Sequence, residues 1–260
     1  MQKIYLGIDV GGTKIKAILL NIKSGRRFSA FEGKTPKNLP AFNEFLEKGI
    51  RGVIKKNKIS GIGLGLPGMI KNGKLLKAPH LHFLKNWNSQ KFLSRFHVPV
   101  KVENDSRCFL VSESILGAGK NKKNIAVLTI GTGIGGGLMI NRKIYRGGGS
   151  AGEFGHMIIN RKKTLEELGA KKAFLKMGDR SKIIGAGIAD IINAFDPDIV
   201  ILGGGGVFRG GVNMEKVKKI ARKNIISPVS KKTKITKGKL GEDAQAIGAA
   251  LLFKKNEQKN

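Results

Sequence analysis

Three short clusters in this chain place side chains that move protons or hold cations beside stretches of bare backbone. Asp9 ends the apolar run YLGID and is followed at once by Val10-Gly11-Gly12-Thr13 and Lys14. Glycines without Cβ atoms let successive backbone N–H groups converge on a phosphate. A carboxylate beside such a cradle can hold Mg²⁺ through water, and a threonine hydroxyl can reach a phosphoryl oxygen. The competing reading of Asp9 is a solvated turn aspartate. The second cluster, 102-VENDSRC-108, sets Glu103, Asn104 and Asp105 between an apolar stretch and a helical one. Capping the helix accounts for one of the three. Asn104 can also exchange hydrogen bonds with a polyol, and Asp105 can accept a hydroxyl proton during phosphoryl transfer. The third, 152-GEFGH-156, follows RGGGSA and places Glu153 and His156 three apart, a carboxylate and an imidazole suited to sugar hydroxyls.

The elements that must carry these clusters follow from hydropathy periods. Lys3 to Ile8 predicts a strand, Ile15, Ala17 and Leu19 alternate in a second, and RRFSAFEGKT can form a third. Pro40 then starts a helix whose Phe42, Phe45, Leu46, Ile50, Val53 and Ile54 recur at three and four, and ISGIGLGLPG returns as a strand. The pattern restarts at Ile125 to Ile130 with a glycine turn, a strand through Leu138 and Ile140, and a hairpin turn at Asn141-Arg142. Helical periods fill 164–177 and 181–195, and the apolar strand DIVIL closes on Gly203 to Gly206. Two similar modules with a cleft between them fit this restart. The glycine turns 10–13, 131–137 and 203–206 all follow apolar strands. GxxxxGK[ST] is absent, and GTGIGGG precedes a strand instead of the helix a dinucleotide fingerprint needs. A nucleotide phosphate held between hairpin turns is the reading that remains.

The 260 residues allow one large domain or two modest ones. One cysteine, Cys108, leaves no internal disulfide, and it reads as a small core residue. With no secretory pattern and no apolar run of about 18 residues, the expectation is a cytoplasmic protein without a membrane partner. The formal charge is +31. It raises nucleic acid as a partner, but the basic residues are dispersed and aromatics are only 6%, poor for base stacking. Solvated lysine-rich faces are the favoured reading, nucleic acid is not expected, and a small polyanionic substrate stays open.

In order along the chain, GIDVGGTKIKAILL, GIGLGLPGMI, VKVENDS, LTIGTGIGGGL, GGGSAGEFGHM, DIVILGGGGV and GEDAQAIGAALL resemble the motifs of the ROK family of sugar kinases and repressors, within the hexokinase/actin-like ATPase superfamily. The resemblance implies an α/β, two-lobed actin-like ATPase (ribonuclease H-like) fold with a β-β-β-α-β unit in each lobe. Residues 1–112 would form the first lobe, completed by a terminal helix in 243–260, and 113–242 the second. It implies that Asp105 is the base for a sugar hydroxyl, that Asn104, Glu153, His156, Glu166 and Gly68 bind the sugar, and that Gly11, Gly12, Thr13, Lys14, Gly131, Thr132 and Gly133 surround the phosphates. Gly204 and Gly205 would lie near the adenine nucleoside, and Asp9 would hold Mg²⁺.

Three departures qualify the resemblance. Many members carry a cysteine-rich zinc site after GHM, and HMIINRKKTLEELGAKK contains no cysteine, so no structural zinc is expected. The chain is short between Gly178 and Asp198. His80, in APHL, stands where the family usually has Asn, which puts the identity of the sugar in doubt; with His82 it reads as a loop histidine more readily than as half of a metal pair. The expected activity is ATP- and Mg²⁺-dependent phosphorylation of a hexose, glucose foremost, with N-acetylmannosamine or another hexose as alternatives. Polyphosphate is the rival donor, and a non-catalytic sugar sensor is the rival of a different class. ROK repressors begin with a helix-turn-helix, for which a strand starting at residue 3 leaves no room. A homodimer stays open.

Overall fold

A computed structural model of the chain describes residues 3–71, 73–78 and 81–254. Backbone contacts divide it into two compact units, one formed by residues 1–112 with 243–260 and the other by 113–242.

The first unit is built on β1 (Ile4–Val10), β2 (Lys14–Asn21), β3 (Arg27–Lys34), α1 (Leu39–Lys56) and β4 (Ile62–Leu66). The short pair β5 (Met69–Lys71) and β6 (Lys74–Lys77), then α2 (Ser89–Ser94), β7 (Val100–Asn104) and α3 (Asp105–Ile115) follow. Its sheet has the order β3-β2-β1-β4-β7, with β1, β4 and β7 parallel. The start of α1 is set by Asn38, whose Oδ1 accepts from the Ala41 N–H, with Pro40 in the first turn. The helix buries Phe42, Leu46, Ile50 and Val53 against Leu6, Ile8, Ile62 and Leu64, burial that contributes roughly 1.5–3 kcal/mol per side chain.

The second unit opens with β8 (Ile125–Ile130), β9 (Ile134–Ile140) and β10 (Lys143–Tyr145). Asn141 and Arg142 make the predicted hairpin turn, both with positive φ (50° and 62°), as a type I′ turn requires. Then come β11 (Ile158–Asn160), β12 (Lys163–Thr164), α4 (Leu165–Gly169), α5 (Lys171–Met177), α6 (Ser181–Phe195) and β13 (Ile199–Gly203). After α7 (Gly205–Phe208) and α8 (Met214–Asn224), β14 (Lys234–Lys237) completes a sheet of order β10-β9-β8-β13-β14. Strand for strand this repeats the order of the first sheet, so the α/β, two-lobed reading with a β-β-β-α-β unit in each lobe holds.

The last helix, α9 (Ala244–Leu251), returns to the first unit and lies on β1 and β4. It comes unusually close. A Cβ on Gly7 would sit 2.0 Å from the Ala246 carbonyl oxygen, one on Gly63 1.9 Å from that of Ala249, and one on Gly248 1.7 Å from that of Cys108. Small residues on both surfaces permit that approach.

Two sequence expectations are corrected. The helical period over 164–177 is broken at Ala170, which is extended (φ −77°, ψ 175°). The Gly169 carbonyl accepts from Arg180, and the Ala173 N–H turns to Ala170. The glycine turn after DIVIL is not part of a hairpin either: it leads into the short helix α7.

Candidate active site

In the first unit the site is assembled by strand register. Glu32, Lys16, Asp9, Gly65 and Glu103 are successive partners across β3, β2, β1, β4 and β7, so they form one row on one face of the sheet. The row is charged except at Gly65. There a Cβ would lie 3.4 Å from the Cys108 Sγ and 3.7 Å from the Asp105 Cα, ordinary contact distances, so the first turn of α3 packs directly over this position. Asp105, which opens that turn, sits within electrostatic reach of Asp9. Burial, and second the charge of Asp105, push the Asp9 carboxyl up to about 8, against a lowering by Lys16. Lys16 pairs with Asp243, just before α9, and Lys14 pairs with Glu32 at 2.8 Å.

The junction of β7 and α3 gives each member of Glu103-Asn104-Asp105 a separate task. Asn104 is the helix cap: its Oδ1 accepts from Ser106 N–H (2.9 Å) and Arg107 N–H (3.1 Å). Its Nδ2 donates to the Gly68 carbonyl at 3.2 Å, tying Gly68 (φ 98°) to the start of α3. Asp105 Oδ1 accepts from the Ser106 N–H at 2.7 Å. Buried Glu103 accepts from the Asn104 N–H at 3.0 Å and from Arg107 Nη1 at 3.4 Å.

The turn 10–13 is braced from below. Buried Thr35 donates its hydroxyl to the Gly11 carbonyl at 2.7 Å and its N–H to the Thr13 carbonyl at 3.1 Å. Gly11 N–H donates to Lys14 O, which a Cβ on Gly11 would approach to 2.9 Å. The turn stays accessible, with Gly12 half-buried and Thr13 exposed.

In the second unit, Gly131, Thr132 and Gly133 turn between β8 and β9. The Gly131 carbonyl accepts from Lys171 N–H at 3.0 Å, and Glu166 Oε2 accepts from the Ile134 N–H at 2.6 Å. Glu166 therefore fastens this turn to α4 with one carboxylate oxygen. Gly204 (φ 84°) packs on the same corner: a Cβ there would be 2.5 Å from the Ile130 carbonyl oxygen. Glu153 precedes and His156 ends the helical turn Phe154–His156, which lies on β9 through glycine contacts. Cβ atoms on Gly136 and Gly155 would meet Gly152 O at 2.4 Å and Ile134 O at 2.0 Å. Glu153 is half-buried and His156 exposed.

The structure thus gathers Asp9, Gly11, Gly12, Thr13, Lys14, Gly68, Asn104 and Asp105 at the C-terminal ends of β1, β4 and β7. It gathers Gly131, Thr132, Gly133, Glu166, Gly204 and Gly205 at those of β8 and β13. Such ends are where open α/β sheets bind ligands. Exposed His82 begins a helical turn, while His80 lies outside the described residues. Thr35 and Arg107 have no place in the sequence reading of the site, and Glu103 enters it only as a member of the 103–105 triplet, with no role of its own. Glu103 lies in β7 and Arg107 in α3, so their pairing follows from the strand-to-helix turn and not from helical spacing, and nothing local ties Thr35 to Gly11.

A divalent cation suits this donor set. Asp9 is held toward its protonated form by burial and by Asp105, and a nearby cation would displace that proton. Mg²⁺ typically takes one or two carboxylates together with phosphate and water. Among the described residues no group of three or more His, Cys, Asp or Glu offers a complete protein cage.

The family model described as "ROK family" matches residues 5–174 and 164–256. An uncharacterized protein of Clostridium perfringens is 32% identical, covering 98% of this chain and 99% of that protein. A glucokinase of Streptomyces coelicolor is 25% identical over 95% and 96%. A xylose repressor of Caldicellulosiruptor bescii is 27% identical over 94% of this chain and 76% of its own. Among solved structures, a ROK glucokinase from Streptomyces griseus in complex with glucose and AMPPNP superposes with TM-score 0.84 at 24% identity, covering 96% and 98%. The ROK hexokinase of Thermus thermophilus gives 0.78 at 26%, covering 96% and 97%.

Proposed function

The chain belongs to the ROK family, and from that premise we propose that it is a sugar kinase transferring the γ-phosphoryl of ATP to a hexose, glucose foremost. The observation that carries this is the Asp9–Asp105 pair: two mutually interacting carboxylates, one near the end of β1 and the other opening α3 directly after β7, with the bare turn 10–13 following the first. Asp105 accepts the proton of the sugar hydroxyl as its oxygen bonds to the γ-phosphorus and the bond to the bridging oxygen breaks, releasing ADP. Asn104, Gly68, Glu153, His156 and the remaining oxygen of Glu166 hold the sugar. Backbone N–H groups around Gly11, Gly12, Gly131 and Gly133, with Thr13, Lys14 and Thr132, face the phosphates, and Gly204 and Gly205 approach the nucleoside. Asp9 would hold Mg²⁺ through water, and the bound ion would supply charge neutralisation at the phosphoryl oxygens. The similarity to a glucokinase and a ROK hexokinase supports the activity; the hexose is the less constrained part, with N-acetylmannosamine and other hexoses as alternatives.

The test is ADP release from ATP·Mg²⁺ across hexoses and N-acetylhexosamines, with Asp105→Asn as control. Stimulation by one sugar, lost in the variant, is the expected result; no stimulation by any sugar refutes the proposal. Two other readings have an observation each. The charge of +31 favours polyphosphate as donor, and a higher kcat/KM with polyphosphate than with ATP would establish it. Similarity to a xylose repressor favours a sugar sensor, which would bind sugar without turnover.

A further inference from the structure

Arg180 is a charged side chain taken almost wholly out of water, at 4% exposure. Its Nη1 donates to the Gly169 carbonyl at 2.8 Å, and its Nη2 and Nε donate to the Gly211 carbonyl at 3.1 and 3.3 Å. Cβ atoms on Gly206 and Gly211 would fall 3.0 and 3.1 Å from Nη2, so the guanidinium fills the hollow those two glycines leave. The neighbouring Asp179 turns elsewhere, to the Ser181 N–H and to Lys216 Nζ.

Both ends of this brace lead to glycine turns. Gly169 ends α4, whose Glu166 holds the Ile134 N–H, and two residues later Lys171 holds the Gly131 carbonyl. Gly206 lies against the end of β8, where its Cβ would be 2.9 Å from the Ile130 carbonyl oxygen. A planar fork with several fixed donors joins two such segments with defined spacing, which a lysine cannot reproduce.

We infer that Arg180 is the positioning residue of the nucleotide end of the site, setting turn 204–206 against turn 131–133 for an anionic nucleotide. This rests on reading those turns as nucleotide-binding. The guanidinium is lowered by burial but keeps its charge at neutral pH, so it also places positive potential behind the turns.

The test is calorimetric binding of ADP and, separately, of the sugar that stimulates turnover, to wild type, Arg180→Lys and Arg180→Met, with folding checked by circular dichroism. Loss of charge-assisted hydrogen bonds predicts ADP binding weaker by about tenfold in both variants, sugar affinity changed less than about twofold, and KM for ATP raised more than kcat is lowered. If neither variant folds, Arg180→Gln, which keeps a planar hydrogen-bonding end but removes the charge and the fork, should give the same split. Folded variants that bind ADP as wild type does, or that lose ADP and sugar binding equally, overturn the inference and leave the kinase reading standing. A wild-type protein that binds no ADP overturns both.

Discussion

A carboxylate in this protein is tuned by what the backbone puts beside it. Asp9, near the end of β1, and Asp105, the first residue of α3, are nearly a hundred positions apart in sequence, and the parallel pairing of β1, β4 and β7 brings them to the same edge of the sheet. If Asp105 takes the hydroxyl proton, Asp105→Asn lowers kcat by roughly 10²–10⁴-fold while sugar still binds; an unchanged kcat removes Asp105 from the mechanism. Asp198 shows the opposite tuning. The Asn124 N–H, joined by that of Lys123, holds its carboxyl below the usual range, and both bonds tie the start of β13 to β8. Its folded value lies below its unfolded one, so the stabilisation is full above about pH 4. It is lost as pH falls through the folded value. Asp198→Asn should cost about 1 kcal/mol at pH 7 after allowance for solvent screening, with the gap from wild type narrowing in urea titrations as the pH falls below the ordinary carboxylate range. A gap that persists there contradicts this account.

At the scale of elements, glycine has two opposite meanings in this chain. Gly63 lies under α9, and an added methyl would overlap the Ala249 carbonyl, so Gly63→Ala must push the helix off the sheet. Overpacking of that kind costs about 1–3 kcal/mol or more. Gly52, on the exposed side of α1, has nothing within 4 Å of where a Cβ would stand, and Gly52→Ala should stabilise by roughly 0.5–1 kcal/mol. Thermal unfolding of the two variants should therefore move in opposite directions; equal shifts would mean that α9 does not pack as described. The split of 164–177 follows the same logic. Helical periodicity was legible there, but the competing acceptor role of the Gly169 carbonyl toward Arg180 was not.

For the molecule as a whole, a charge of +31 on 260 residues sets up self-repulsion that folding must overcome. Screening over a Debye length of about 10 Å at 0.1 M salt should raise Tm as sodium chloride increases from low to physiological levels; a falling Tm would show that local ion pairs outweigh the net repulsion. Among the described residues no helix is long and apolar enough to cross a membrane. Period and turn chemistry were enough to read β1 to β4, β8, β9 and β13, α1, the Asn141-Arg142 turn and the repeated β-β-β-α-β order, because all of these depend on neighbours a few positions away; the short strands β5, β6, β11, β12 and β14 carry too few residues for a period to show. The clusters around Asp9, Asp105 and Glu153 were legible for the same reason. What only tertiary structure decided is which side chains share a face: the row from Glu32 to Glu103, the bracing of Gly11 by Thr35, and the seat of Arg180 beneath Gly206. Those depend on strand register and on close backbone approach between distant segments, and neither leaves a local signal in the chain.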